Sequence, residues 1–236
     1  MAHGPRATFD REFSAVQDDL LRLGDMVDQA IGKALDSLQR RDRALAEQII
    51  ADDLKINQLR FEIEEACLAL IATQQPAATD LRAVVAAMNI VVDVERMGDH
   101  ATGIAKTVIR MGDEPLLKPL IDIPRMAQLA REMLRAVLRA FVERDMETAK
   151  AIAARDDEMD QLYRAVFDEL VEIMAGKPGT AARATYLLWC AHSLERIADH
   201  VTNIAERLVF LRTGDMRELN VWAGSEEDSQ AQQGPR

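Results

Sequence analysis

The sequence predicts an all-α fold: two tandem three-helix bundles of similar sequence, six long helices in total. Three observations predict it. Aromatic residues are only 4% of the 236 residues, with 11 Gly and 7 Pro, so β-formers and turn punctuation are both scarce. Apolar residues recur at steps of three and four over long stretches, which keeps them on one helix face. Two stretches, ERMGDHATGIA at 95–105 and ERIADHVTNIA at 195–205, share Glu, Arg, Asp, His, Thr, Ile and Ala in register.

The first helix carries the stripe Phe13, Val16, Leu20, Leu23, Val27, Ala30, Ala34 and Leu38 and closes at Arg40-Arg41-Asp42. Asp42 caps a second helix, whose apolar face runs Ile49, Ile56, Leu59, Ile63 and Leu70 to about Thr73. QQPAATD breaks the pattern at Pro76, and a third helix follows from Asp80 through Leu81, Val84, Val85, Met88 and Val92 to about Arg110. Gly112, Pro115, Pro119 and Pro124 form the densest group of breakers and mark a linker. A fourth helix then carries Met126, Leu129, Met133, Val137 and Ala140. A fifth runs from about Asp145 to Ala175, GKPGT breaks it, and a sixth runs from about Ala181 to Leu211. The organisation read from this is a first bundle at 1–112, a linker at 113–124, a second bundle at 125–213 and an acidic, disordered tail at 214–236. The helices preceding the signatures align as well: Asp53 matches Asp156, Asn57 matches Asp160 and Leu59 matches Leu162.

A formal net charge of -11 argues against nucleic-acid binding, which needs surplus Lys and Arg to neutralise phosphates. The apolar run near Ala83–Val92 is interrupted by Asn89, short of the roughly 18 residues a membrane span needs, so no membrane insertion is expected. With no apolar leader in MAHGPRATFDREF, the chain reads as cytoplasmic. Cys67 and Cys190 stand far apart in apolar stretches and read as reduced core residues. No phosphate-binding glycine loop and no Ser/His/Asp or Cys/His assembly is visible, so no catalysis is expected.

The chemistry concentrates in the repeated signature. Glu95 and Asp99, and again Glu195 and Asp199, are spaced i, i+4 and so share a helix face one turn apart. Like charges so placed cost about 0.2–0.5 kcal/mol on a solvated helix and more against packed neighbours. A divalent or trivalent cation is one answer to this repulsion, and Asp53 and Asp156 could add oxygen ligands from the adjoining helix. Carboxylate-rich donors suit magnesium, manganese, iron or zinc. Arg96 and Arg196 are the chain's own alternative, as is a buried Glu–Arg network that fixes helix register. His100 and His200 point about 100° away from the preceding Asp and read as inter-helix contacts rather than ligands. Asn203 shares the Asp199 face, but its counterpart Gly103 has no side chain. His192 reads as a packed core histidine, and Thr102 and Thr202 as hydroxyls bonded back to the preceding turn. Tyr186, Leu187, Leu188 and Trp189 read as core, with a buried dimer or partner edge as the alternative.

At the duplicated E-R-x-x-D signatures the chain resembles the PhoU family of phosphate-uptake regulators. RFEIEEACLALIATQQPAATDLR, TDLRAVVAAMNIVVDVERMGDHA and YLLWCAHSLERIADHVTNIAE extend the likeness over roughly residues 10–213. The resemblance implies two similar three-helix bundles with surface metal clusters, Glu95 and Asp99 in the first and Glu195 and Asp199 in the second. Asp53 and Asp156 match acidic positions on adjoining helices. It also implies a negative regulator that restrains the high-affinity phosphate ABC transporter, through its ATPase subunit, and keeps the sensor histidine kinase of the starvation response inactive. Homodimers and no enzymatic reaction are implied.

Two rivals come from other classes. A carboxylate-bridged di-iron oxidase or ferroxidase requires Glu-x-x-His on two helices, and no histidine here has Glu three residues before it. A purely structural helical scaffold rests on the heptad-like first stripe and predicts that the paired carboxylates are dispensable.

Overall fold

The computed structural model describes residues 5–213, which form seven α-helices and, among the described residues, no strand. They are α1 (Pro5–Arg40), α2 (Arg43–Gln74), α3 (Ala78–Met111), α4 (Asp122–Glu143), α5 (Met146–Ala153), α6 (Asp156–Gly176) and α7 (Ala181–Thr213). The six-helix plan is present, with α5 and α6 together in the fifth position. The acidic tail expected at 214–236 lies outside the described residues.

Helix ends follow local chemistry. The Asp42 carboxylate accepts from the Leu45 backbone N–H at 2.9 Å, the predicted cap of α2. Gly112 ends α3 at φ 61°, a backbone region that glycine enters without steric cost. The split between α5 and α6 was not predicted, because no Pro or Gly marks it. There the Arg155 N–H bonds back to the Ile152 carbonyl at 2.9 Å, and Asp156, Asp157 and Glu158 open α6 at its positive dipole end. Arg155 also donates to Glu132 of α4 at 3.0 Å, which holds the corner down.

One continuous core cluster runs from Phe9 to Leu208 through both halves. Leu20, Leu23, Ile31, Leu134 and Met133 are fully enclosed, each contributing about 1.5–3 kcal/mol of burial. Ile31 takes the buried place expected of Ala30, because a 3.6-residue period drifts across a long helix. α3 packs antiparallel on α7 about as extensively as on α2, so the two signature helices form the spine that joins the halves. α1 also crosses α4 closely at Gly24, where a Cβ would fall 2.1 Å from the Leu138 Cδ1 atom. Between α3 and α4, Leu116, Leu117 and Leu120 pack on the core, and α4 accommodates Pro124 in its first turn. No described helix is long and apolar enough to cross a membrane.

Some core expectations failed. Leu81 and Val85 are 38% and 40% exposed on α3, and Trp189 is 45% exposed on α7. Trp189 sits against Tyr186 edge-on and under the Arg110 guanidinium, 5.9 Å from its ring centre, so it is a surface aromatic rather than core. Leu187, beside it, is fully buried, as are both free cysteines.

Candidate functional site

The two signatures place their acidic pairs on α3 and α7, each facing the helix that precedes it in its own half. In the first half, Asp53 of α2 approaches Glu95 and Asp99 of α3. Asp53 accepts from the Thr102 hydroxyl at 3.2 Å and from the Asn57 amide at 3.2 Å. Burial, and then the negative charge of Asp99, raise its carboxyl above the ordinary range. Glu95 is raised for the same two reasons, against an opposing pull from Arg60, whose Nη1 lies 3.3 Å from its Oε1. Arg60 also reaches Glu64 at 3.3 Å, so one guanidinium serves two carboxylates.

The second half repeats this with different neighbours. Burial raises the Glu195 carboxyl; Arg196 opposes the rise, and Asp160 and Asp156 reinforce it. Asp199 is raised by burial first and Glu195 second, although Arg196 of the same helix pairs with it. Glu195 Oε2 is buried without a hydrogen bond; His192 Nδ1 lies 3.2 Å away but out of hydrogen-bond alignment. The register that matches Asp53 with Asp156 sets Tyr163 opposite Arg60 and Asp160 opposite Asn57. The second cluster therefore gains a carboxylate where the first has an amide, and loses a cation where the first has Arg60.

All six predicted residues, Glu95, Asp99, Asp53, Glu195, Asp199 and Asp156, thus lie in two acidic clusters, one in each half. The carboxylates feel one another electrostatically without converging: among the described residues, no three His, Cys, Asp or Glu side chains form a group close enough to hold an ion. The donor set still fits a hard or borderline cation. Its members are oxygen ligands, burial raises the carboxyls of Asp53, Glu95, Glu195 and Asp199, and one buried carboxylate oxygen lacks any hydrogen bond. Arg196 supplies internal compensation as expected, whereas Arg96 is exposed and Arg60 of α2 acts in its place.

Sequence reasoning missed Arg60 and Asp160. Asp160 had a signal, since it follows Asp156 by one turn and so shares its face; Arg60 had none, because only folding brings it to Glu95. His192 is exposed rather than packed in the core. Thr102 bonds to Asp53 instead of its own preceding turn, while Thr202 makes the expected bond to the Ala198 carbonyl at 3.4 Å. The histidine expectations hold: His200 Nδ1 is 3.0 Å from Asp93 Oδ1, and the His100 and His200 rings stand 5.6 Å apart across the spine.

Comparison with known proteins agrees with this architecture. The sequence matches the PhoU domain twice, over residues 20–108 and 123–208. It is 38% identical over 215 residues to a phosphate-specific transport system accessory protein PhoU homolog of Streptococcus pneumoniae serotype 4, covering 91% of this chain and 100% of that one. The crystal structure of the phosphate transport system regulatory protein PhoU from Streptococcus pneumoniae superposes with a TM-score of 0.83 at 37% identity, covering 89% of this chain and 99% of that one. PhoU from Pseudomonas aeruginosa gives a TM-score of 0.83 at 32% identity, covering 88% of this chain and 100% of that one. The tandem signatures, the α3–α7 spine and these matches together make the chain a member of the PhoU family.

Proposed function

We propose that the protein is a negative regulator of phosphate uptake and of the phosphate-starvation response. In this reading it is a cytoplasmic homodimer that docks on the ATPase subunit of a phosphate ABC transporter and on the sensor histidine kinase. Family membership and the similarity to phosphate-specific transport system accessory proteins support the phosphate-transport setting. The single observation that carries a metal-binding adaptor is the duplicated acidic cluster, in which partly buried carboxylates hold raised proton affinities in both halves.

Glu95, Asp99 and Asp53 would hold an ion in the first half, and Glu195, Asp199 and Asp156 in the second, with Asp160 as an added donor. Such an ion, iron, zinc, manganese or magnesium, would supply positive charge that the clusters lack. The chain's own contribution is to set the carboxylates on rigid helices. Arg60 restrains Glu95, Thr102 and Asn57 orient Asp53, and Arg196 restrains Asp199.

The test is a phosphate-starvation reporter, such as alkaline phosphatase, in phosphate-replete cells. Deleting the gene raises reporter output and the intact gene restores it to low; unchanged output on deletion refutes the regulator. A chain with Glu95, Asp99, Glu195 and Asp199 all replaced by Ala separates adaptor from scaffold: loss of both bound metal and repression is expected, and full repression without metal refutes a role for the ions.

A further inference from the structure

A cavity of about 410 Å³ lies apart from the acidic clusters, where the start of α3, the end of α4 and the end of α7 meet. Its size falls in the range of about 300–1,000 Å³ typical of small-molecule sites. Phe141, Leu208 and Leu211 line it with apolar surface, and Thr79, Arg82 and Arg144 bring polar groups to it. The described residues that line it include two guanidiniums and no carboxylate, in a chain of net charge -11. α3 belongs to the first half and α4 and α7 to the second, so the cavity straddles both.

Both guanidiniums have donors to spare. Arg82 reaches only the Thr79 hydroxyl, at 3.4 Å, and its Nε is buried without a hydrogen bond. A buried donor without an acceptor is unfavourable, and an incoming oxygen relieves it. The Arg144 guanidinium makes no hydrogen bond or ion pair among the described residues. Two acids close by in sequence are engaged elsewhere: Asp80 pairs with Arg6, and Asp145 accepts from the Thr148 hydroxyl and from the Glu147 and Thr148 backbone N–H groups. Where two arginines come together on α4, Asp28 accepts from both. Arg82 and Arg144 share a cavity with no such carboxylate among its described residues. The start of α3 adds to the positive potential, because Ala77 offers its first-turn N–H groups no side-chain cap.

An anionic head with an apolar body answers both kinds of wall at once. We propose that the cavity binds an amphipathic organic anion, a carboxylate or phosphate monoester on a compact hydrocarbon body. Arg82 and Arg144 donate to the anionic oxygens, while Phe141, Leu208 and Leu211 enclose the body. Guanidiniums suit such heads because their N–H groups match pairs of oxygens. One arginine comes from each half, so the bound anion bridges the halves and stabilises their junction by mass action. The site shares no residue with the acidic clusters and does not depend on the regulatory reading.

The test is calorimetric titration of the full chain with octyl phosphate and with octanoate. Inorganic phosphate supplies a head without a body, and 1-octanol a body without a charge. One equivalent of octyl phosphate or octanoate is expected to bind, with the tighter of the two identifying the head, and both controls are expected to bind at least about tenfold more weakly. Arg144→Gln and Arg82→Gln each weaken the anion by about tenfold, the scale of one lost charge-assisted contact. Arg144 is exposed and its guanidinium holds nothing in place, so its variant keeps the fold, which an unchanged melting temperature without ligand verifies. The anion raises the melting temperature of the unaltered chain and does so less in Arg144→Gln. No saturable binding of either anion overturns the proposal, as does equal affinity in the unaltered chain and both variants. Inorganic phosphate or 1-octanol binding as tightly as octyl phosphate overturns it too, since then only one kind of wall is in use.

Discussion

His200 of α7 and Asp93 of α3 form a buried polar contact at the centre of the spine, with 3.0 Å between Nδ1 and Oδ1 and side-chain exposures of 6% and 11%. Asn203 reaches the same Asp93 oxygen at 3.5 Å. The signature repeats at an interval of 100 residues, so the counterpart of Asp93 is Ser193. One histidine of the pair therefore has a carboxylate and the other, His100, has none.

Asp93→Asn is expected to destabilise the fold by about 1–3 kcal/mol, because it removes a charge-assisted acceptor inside a closely packed helix pair. Urea unfolding measures it. A double-mutant cycle with His200→Gln isolates the pair; a coupling near zero contradicts the contact's role.

His100 makes stability depend on pH. Burial, and then the neighbouring charges of His200 and Arg196, push its pKa down from 6.5 to about 4. Between those values the unfolded chain binds a proton that the native chain refuses, so acidification favours unfolding. The histidine contribution is neutral above pH 6.5 and costs stability as pH falls from there to about 4. The raised carboxyls of Asp53, Glu95, Glu195 and Asp199 work in the opposite sense, because the native chain holds their protons more tightly at the acid end. In denaturant melts at pH 7 and pH 5, His100→Gln is expected to lose less stability than the unaltered chain, by on the order of 1 kcal/mol. Equal losses refute the shift.

Asp28 joins α1 to α4. Its carboxylate takes Nε and Nη2 of Arg131 at 3.0 and 2.8 Å and Nη1 of Arg135 at 2.7 Å. Gly32, one turn on, leaves room for the Arg131 guanidinium, which a Cβ there would meet at 3.2 Å. Asp28→Asn leaves two guanidiniums side by side without the carboxylate they share, at an expected cost of about 2 kcal/mol. Thermal melting of Asp28→Asn beside Arg131→Leu/Asp28→Asn checks it: removing the orphaned arginine should recover part of the loss.

The helices were legible because their information is local. A 3.6-residue stripe, the Asp42 cap and the breakers at Pro76 and Gly112 each act within a turn or two of where they stand. The acidic pairs were legible because duplication repeats them at fixed spacing. The contacts that finish the clusters were not, since Arg60–Glu95 and Asp28–Arg131 join residues that only the fold brings together. The corner between α5 and α6 escaped because no breaker marks it, and the pairing of Arg155 with Glu132 that accompanies it joins residues on different helices. Trp189 misled because an apolar run is read as core, although a tryptophan can cover surface beside an arginine.

The two acidic clusters are expected to differ in affinity. In the first, Arg60 already supplies positive charge to Glu95, and Asn57 stands where the second has Asp160. In the second, Arg196 supplies positive charge to Asp199 and Glu195, but Glu195 also has Asp160 and Asp156 as negative neighbours and an oxygen without a hydrogen bond. On the proposed metal-binding role, a cation gains more where one more carboxylate awaits it, so the second cluster is expected to bind manganese more tightly than the first. Asp160→Asn makes it resemble the first and is expected to weaken that binding by about tenfold, the scale of a lost supporting ligand. Arg60→Gln removes the competing cation and strengthens the first cluster. Calorimetric titration of manganese into the unaltered chain and both variants resolves the order, and an Asp160→Asn isotherm identical to that of the unaltered chain rules out the second cluster as the tighter site.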